Sequence, residues 1–386
     1  MSLRSIALAS STAALLAACG GSDGGVMSVT PASGSGQTCT TDAYGTRTCT
    51  PNGTTFGGAG GSNYVANALV SDTAATLALH HDANLVNAWG LAFNPQGYSW
   101  VANAGSATST LYDGDGVPQS LVVTIPLGNP SGIVFNGNAD FTVTANALSG
   151  PAAFIFATLQ GQIAAWAPAV DGTHAFTVRD DSASGAGYTG LAIATASAGD
   201  RLYAADFRHG SVEAFDASYA PVTTSGGFVD PTLPAGYAPF GIQQLGGKLY
   251  VTYAQKDATS GRDTAGAGLG LVDVFDLDGT LLTHLVDAGG ALNAPWGLAM
   301  APANFGKFAN KLLVGNFGDG RINAYDPATG ALAGTLSNND GSAIVVDGLW
   351  ALQFGNDLHD QPSNTLFYTA GPAAEAHGLY GRIDMN

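Results

Sequence analysis

Near the C-terminus a carboxylate and an imidazole, Glu375 and His377, stand two residues apart in an irregular, Gly- and Ala-rich segment. Such a pair can ligate a metal, or act as acid and base on a substrate brought within about 3 Å. Asp206 and Asn316 offer further oxygen donors at comparable places along the chain. Asp and Asn oxygens suit a hard cation such as Ca²⁺, and adding His suits Zn²⁺ or a similar metal. Asp206, Asn316, Glu375 and His377 are therefore the candidate metal ligands, with Glu375 and His377 doubling as the candidate catalytic pair. Trp89, Asn103, Tyr253, Trp296 and Trp350 are candidate ligand-binding residues, because each couples contact area or a polar tip to a position near strand ends. Every one has a structural alternative. Asn before Trp-Gly is a turn former, the tryptophans can wedge between sheets, Asp206 can cap a hairpin, and Glu375 with His377 can be a solvated pair. No Gly-x-Ser-x-Gly elbow, Walker loop or His-Glu-x-x-His is present.

These residues have to be positioned by a repeat. Six short apolar strands open with a small or aromatic residue beside glycine or alanine, starting at Trp89, Ser131, Thr189, Phe240, Trp296 and Trp350. A second strand follows each, then a third that ends in an aromatic and usually Asp, as in Leu111-Tyr112-Asp113, Ala214-Phe215-Asp216, Val274-Phe275-Asp276 and Ala324-Tyr325-Asp326. The copies recur roughly every 40 to 60 residues, a period that, filled with strands and turns, marks β-propeller blades. The last copy leaves no room for a fourth strand before Asn386, whereas a strand-like segment at Tyr64 to Val70 precedes the first. Placing that segment as the outer strand of the last blade closes the ring and removes two exposed edges. The expected fold is all-β, a six-bladed β-propeller over residues 63–386. Alternation of strand direction then puts the loops leading into inner strands on the same face as those joining second and third strands, which gathers the candidate ligands at the mouth of the central channel.

The Gly-x-Ile/Val-x-x-aromatic-Asp strand and the aromatic-Gly-Leu/Ile opening resemble six-bladed propellers of the NHL-repeat type. Asn87-Ala88-Trp89-Gly90-Leu91-Ala92, Ala294-Pro295-Trp296-Gly297-Leu298-Ala299, Leu313 to Gly320, Ala370-Gly371-Pro372 and Glu375 to Leu379 are similar to an uncharacterised family of exported bacterial propeller proteins. A ring of Asn and Asp at the channel mouth is also how gluconolactonase- and regucalcin-like propellers hold a divalent ion. That likeness implies Ca²⁺ or Zn²⁺ as the cofactor here, although this chain has no acidic residue at the first inner strand, where those proteins carry one.

Residues 1–18 hold one basic residue, Arg4, and an apolar run too short to span a bilayer, the pattern of a secretory signal. Leu16-Ala17-Ala18-Cys19-Gly20 resembles the bacterial lipobox, which implies lipidation of Cys19 and an outer-membrane lipoprotein facing the periplasm or the cell surface. Residues 19–62 read as a Gly/Ser/Thr-rich tether. Within it Cys39 and Cys49, the remaining thiols in an oxidising compartment, are expected to form a small disulfide loop, a thiolate metal pair being the other reading. With 12 basic against 29 acidic residues and a net charge of −17, the surface repels phosphate backbones, so nucleic acid is excluded as a partner and the membrane is met through the lipid anchor alone. The functional expectation is a tethered binding or interaction module for a small molecule or an envelope or extracellular protein. The alternative is a metal-dependent, lactonase-like hydrolase or lyase acting at the channel mouth.

Overall fold

The computed structural model describes residues 63–386, together with the backbone of two short strands, Gln37–Thr41 and Arg47–Pro51. Those two strands pair antiparallel with Cys39 opposite Cys49, in a unit separate from the propeller. The cysteine side chains lie outside the described residues, and with them the expected disulfide. So do Cys19, the signal segment and most of the tether. Among the described residues no helix is long and apolar enough to cross a membrane.

Six blade sheets, each built on four antiparallel strands, organise the larger unit. Their inner strands are Ala88–Phe93, Pro130–Phe135, Tyr188–Ala196, Tyr237–Leu245, Pro295–Met300 and Leu349–Phe354. The sixth blade runs Leu349–Phe354, Leu366–Ala370, Leu379–Met385 and then Tyr64–Ser71, so the N-terminal strand closes the ring as the sequence predicts. Two details were not foreseen. His80–His81 adds a fifth, parallel strand beside Val70 and Ser71, and a hairpin of Thr142–Ala145 with Leu148–Pro151 is inserted in the second blade.

The repeated residues have local causes. The Asp that ends a third strand folds its carboxylate back on the following turn. Asp113 Oδ1 accepts from the backbone N–H groups of Asp115 and Val117 at 3.0 and 2.8 Å, and Asp276 Oδ1 does the same with Asp278 and Thr280 at 2.9 and 2.8 Å. The Gly in five of the six openings (Ala351 stands in the sixth) lies where inner strands of neighbouring blades converge. A Cβ on Gly90 would sit 2.3 Å from the Ser131 carbonyl oxygen, and one on Gly241 2.2 Å from that of Trp296. Side-chain hydroxyls stitch the same strands together, Ser131 Oγ donating to Tyr188 O and Thr189 Oγ1 to Phe240 O, both at 2.7 Å.

The cores lie between blades. Trp100 of the first blade stacks on Phe154 of the second at 4.0 Å, and Leu69, Phe93, Tyr112, Phe367 and Tyr380 weld the sixth blade to the first. A further apolar cluster occupies one end of the axis, where Trp89, Phe207, Phe240, Ala294 and Trp350 meet.

Candidate functional site

The axial cluster begins with three rings in a pile. Trp350 is fully buried, stacked on Trp89 at 3.8 Å on one side and on Phe317 at 4.0 Å on the other. Trp296 meets both tryptophans edge-on, and its indole N–H crosses to Thr189 O at 2.9 Å. These rings plug the channel, and what is left of it below them is a void of about 20 Å³.

Above the plug lies a cavity of about 240 Å³. Its apolar floor and wall come from Trp89, Leu159, Phe207 and Phe240; its polar groups are Thr189, Arg208, Arg262, Asp263 and Glu375. They come from the N-terminal halves of inner strands (Trp89, Thr189, Phe240), from the loops leading into them or from loops joining second to third strands, so the lining gathers on the rim that strand alternation selects. The loop after the second strand of the fourth blade, residues 256–270, reaches over this rim. There the Arg262 guanidinium ion-pairs with Glu375 Oε1 from the sixth blade. Glu375 Oε2 accepts from Asn87 Nδ2 at 3.1 Å, and Asn87 Oδ1 accepts from the buried indole N–H of Trp350 at 3.0 Å. A continuous polar chain therefore runs from the loop, through Glu375, to the aromatic plug.

Glu375 is held in an unusual way. Ala373, Ala374 and Glu375 all have left-handed backbones, with φ of 56°, 55° and 69°, and the Glu375 N–H closes a turn on Gly371 O at 3.0 Å. Each such residue costs on the order of 1–2 kcal/mol, and backbone strain of this kind concentrates at ligand clamps and active sites. Beside it, burial pushes the Asp263 carboxyl up, with Glu375 adding to the rise and Arg262 opposing it. Arg208 has no carboxylate within ion-pair distance among the described residues, in contrast to Arg262. The Trp89 indole N–H is likewise buried without a partner.

Of the residues singled out in the sequence, Trp89 and Glu375 line the cavity, while Trp296 and Trp350 build its base. His377 turns away and pairs with Asp72 Oδ2 through Nδ1 at 3.0 Å, so the two members of the pair serve different partners. Asp206 is fully buried; its Oδ1 accepts from the N–H groups of Gly187, Arg208 and His209, and its Oδ2 lies 2.6 Å from His209 Nδ1. Asn316 donates to Ala291 O and to Asp319 Oδ1, each at 3.0 Å. Asn103 bonds the hydroxyls of Thr108 and Thr110 within its own hairpin. Tyr253 is buried inside the fourth blade beside Asp273. Groups of three His, Asp or Glu with ligand atoms within 4.8 Å of one another number two among the described residues. They are Asp206–His209–Glu213 and Asp230–Asp273–His284, and neither includes Asn316, Glu375 or His377. Arg208, Asp263, Phe207, Phe240, Thr189 and Leu159 were not foreseen as site residues; the available signal was that four of only 12 basic residues, Arg208, Lys256, Arg262 and Arg321, fall in rim loops.

No family model matches the chain. Among solved structures it is similar to hydrazine synthase of Kuenenia stuttgartiensis (11% identity, TM-score 0.44, covering 78% of this chain and 97% of that one). It is also similar to virginiamycin B lyase from Staphylococcus aureus (12% identity, TM-score 0.39, covering 91% and 88%). The blade count rests on the sheet topology itself and not on these distant likenesses. Among curated proteins the chain is 35% identical over 319 residues to the uncharacterized protein R648 of Acanthamoeba polyphaga mimivirus, covering 79% of this chain and 76% of the relative. It is 31% identical over 325 residues to the uncharacterized protein L690 of the same virus, covering 80% and 82%. At that identity and coverage, the chain belongs to the family of β-propeller proteins that includes R648 and L690.

Proposed function

We propose that this protein is a binding module whose ligand is a small molecule with a planar apolar body and one anionic group, held in the cavity over the aromatic plug. One observation carries the reading: a 240 Å³ cavity with an apolar floor has Arg208, a guanidinium without a carboxylate partner, in its wall. Concave, largely apolar sites with a few convergent polar groups are the usual form of small-molecule sites. A guanidinium offers a carboxylate two parallel hydrogen bonds. The Arg262–Glu375 pair closes over such a ligand, and Asp263 faces its polar edge. A metal-dependent hydrolase or lyase at the same mouth has weaker support, because Glu375 and His377 turn to different partners.

The NHL-like lineage, export, lipidation at Cys19, the Cys39–Cys49 disulfide and an envelope setting belong to the same proposal. The first rests on the blade-opening and third-strand motifs, the others on the signal-like segment, the lipobox-like residues and the facing positions of the two cysteines. The test is calorimetric titration with a panel of aromatic and aliphatic carboxylates. An aryl carboxylate should bind, and Arg208→Ala should weaken it at least tenfold while leaving the melting temperature unchanged. Absence of binding across the panel, or affinity indifferent to Arg208→Ala, would overturn the reading.

A further inference from the structure

The fourth blade carries a second group of ligand-type side chains away from the mouth. Asp273 sits mid-strand in Leu271–Phe275, an otherwise apolar and fully buried segment, and its register partner on the outer strand is His284. Asp230 comes from the loop that precedes the inner strand. The side chains of Asp230 and Asp273 are both 0% exposed. Imidazole Nδ1 of His284 lies 2.7 Å from Asp273 Oδ1 and 2.9 Å from Asp230 Oδ2, and Nε2 lies 2.9 Å from Asp287 Oδ1.

One imidazole N–H cannot satisfy both carboxylates. One N–H at Nδ1 points at one acceptor, and it is spent on Asp273 Oδ1. Asp230 Oδ2 and Asp273 Oδ2 remain buried with no hydrogen-bond partner. Asp230 Oδ1 is already taken by the N–H and hydroxyl of Thr232 at 2.7 and 2.6 Å, which fixes the carboxylate with its free oxygen toward the imidazole. Even a fully charged imidazolium leaves two buried carboxylates sharing one positive charge. Buried charges persist where they are paired or coordinate metals.

We propose that Asp230, Asp273 and His284 bind one borderline divalent cation, of which Zn²⁺ is the probe, with the Tyr253 hydroxyl beside it. A cation at this point takes Asp230 Oδ2, an Asp273 oxygen and His284 Nδ1 at once. It displaces the Nδ1 proton to solvent, so charge and protons balance. One nitrogen with two carboxylates is a mixed donor set suited to Zn²⁺, with expected ligand distances of about 2.0–2.2 Å. Asp287, against Nε2, is the outer carboxylate that commonly orients a metal-binding imidazole. The partly exposed edge of His284 gives the ion a way in. Because the cluster sits apart from the mouth cavity, the site is structural, a clamp between the third and outer strands and the loop carrying Asp230.

The test is zinc content of the intact protein, stripped with chelator, reloaded with Zn²⁺ and dialysed. One equivalent per chain is expected to remain, with a raised melting temperature. His284→Ala should lose that equivalent and the stabilisation, whereas His209→Ala, in the other His-carboxylate cluster, should keep both. Zinc-edge anomalous scattering from crystals of the loaded native protein serves as a readout that needs no variant, with one peak expected beside His284 Nδ1. Failure of the native protein to retain zinc, retention by His284→Ala, loss in His209→Ala, or a map without that peak would each overturn the assignment.

Discussion

Trp350 shares its two faces with Trp89 and Phe317 and gives its indole N–H to Asn87, so one side chain couples the channel plug to the strained turn that presents Glu375. Truncation to Ala should cost about 3–5 kcal/mol, as for other fully buried large aromatics, read from denaturant unfolding. Glu375→Gln should behave differently. The Arg262 side chain is 63% exposed, and ion pairs of that kind contribute at most about 1 kcal/mol. Stability should therefore barely move, while amide exchange in residues 257–263 should accelerate as the loop is released. Asp263 supplies a pH dependence. Its carboxyl is raised by burial, so folding shifts it toward the neutral form relative to the unfolded chain. The ionised form costs stability, a cost absent below the unfolded value of about 3.9 and complete above the raised folded value. An anionic ligand near Asp263 should bind more tightly as the pH falls through that raised value. Asp263→Asn should flatten the profile in a titration series.

At the scale of the strand, glycine and aspartate do the organising. Gly241 is dictated by approach, since a Cβ there would lie 2.2 Å from a backbone oxygen of the next blade, whereas one at Gly172 would meet nothing within 4 Å. Gly241→Ala should destabilise by about 1–3 kcal/mol through overpacking, and Gly172→Ala should stay within about 0.5 kcal/mol of the parent, compared by chemical denaturation. These two constraints also account for what was readable beforehand. The blades could be counted because inter-blade approach fixes Gly at five of the six openings, and because an Asx turn fixes Asp after most third strands. Asp206 and Asn316 have the residue types of metal ligands and end second strands; Asp206 Oδ1 is occupied by backbone N–H groups of the entry loop and the hairpin, and Asn316 Nδ2 is held by Ala291 O and Asp319, while Asn316 Oδ1 is buried with no partner. The cavity was not legible for a different reason. Its members come from loops and inner-strand beginnings of five blades, and how far a loop such as 256–270 leans over the axis is decided by contacts distant in sequence, like Arg262 with Glu375. His377 follows a left-handed turn and pairs with Asp72, so it and Glu375 meet different partners, which sequence spacing alone does not reveal.

For the whole molecule, the ring must be closed by a strand that enters before the first blade. Tyr64–Ser71 pairs with Leu379–Met385 along its length. Tyr64 is also tied to the fifth blade, its hydroxyl donating to Phe305 O at 3.1 Å and accepting from the Phe308 N–H at 3.2 Å, with its ring stacked on Phe308. Leu69 and Val70 enter the core shared by the sixth and first blades. One short segment therefore buries apolar surface in two inter-blade cores and covers the edge of Leu379–Met385. A chain beginning at residue 63 keeps all of this and should unfold in one transition at the temperature of the full chain. A chain beginning at residue 73 leaves an unpaired strand edge on the sixth blade, the kind of edge that recruits another molecule. It should show a lower, broadened melting transition in calorimetry and a concentration-dependent increase in size by light scattering. If the shorter chain instead melted like the longer one and stayed monomeric, closure by the N-terminal strand would contribute nothing to stability, and the six inter-blade cores would have to hold the ring unaided.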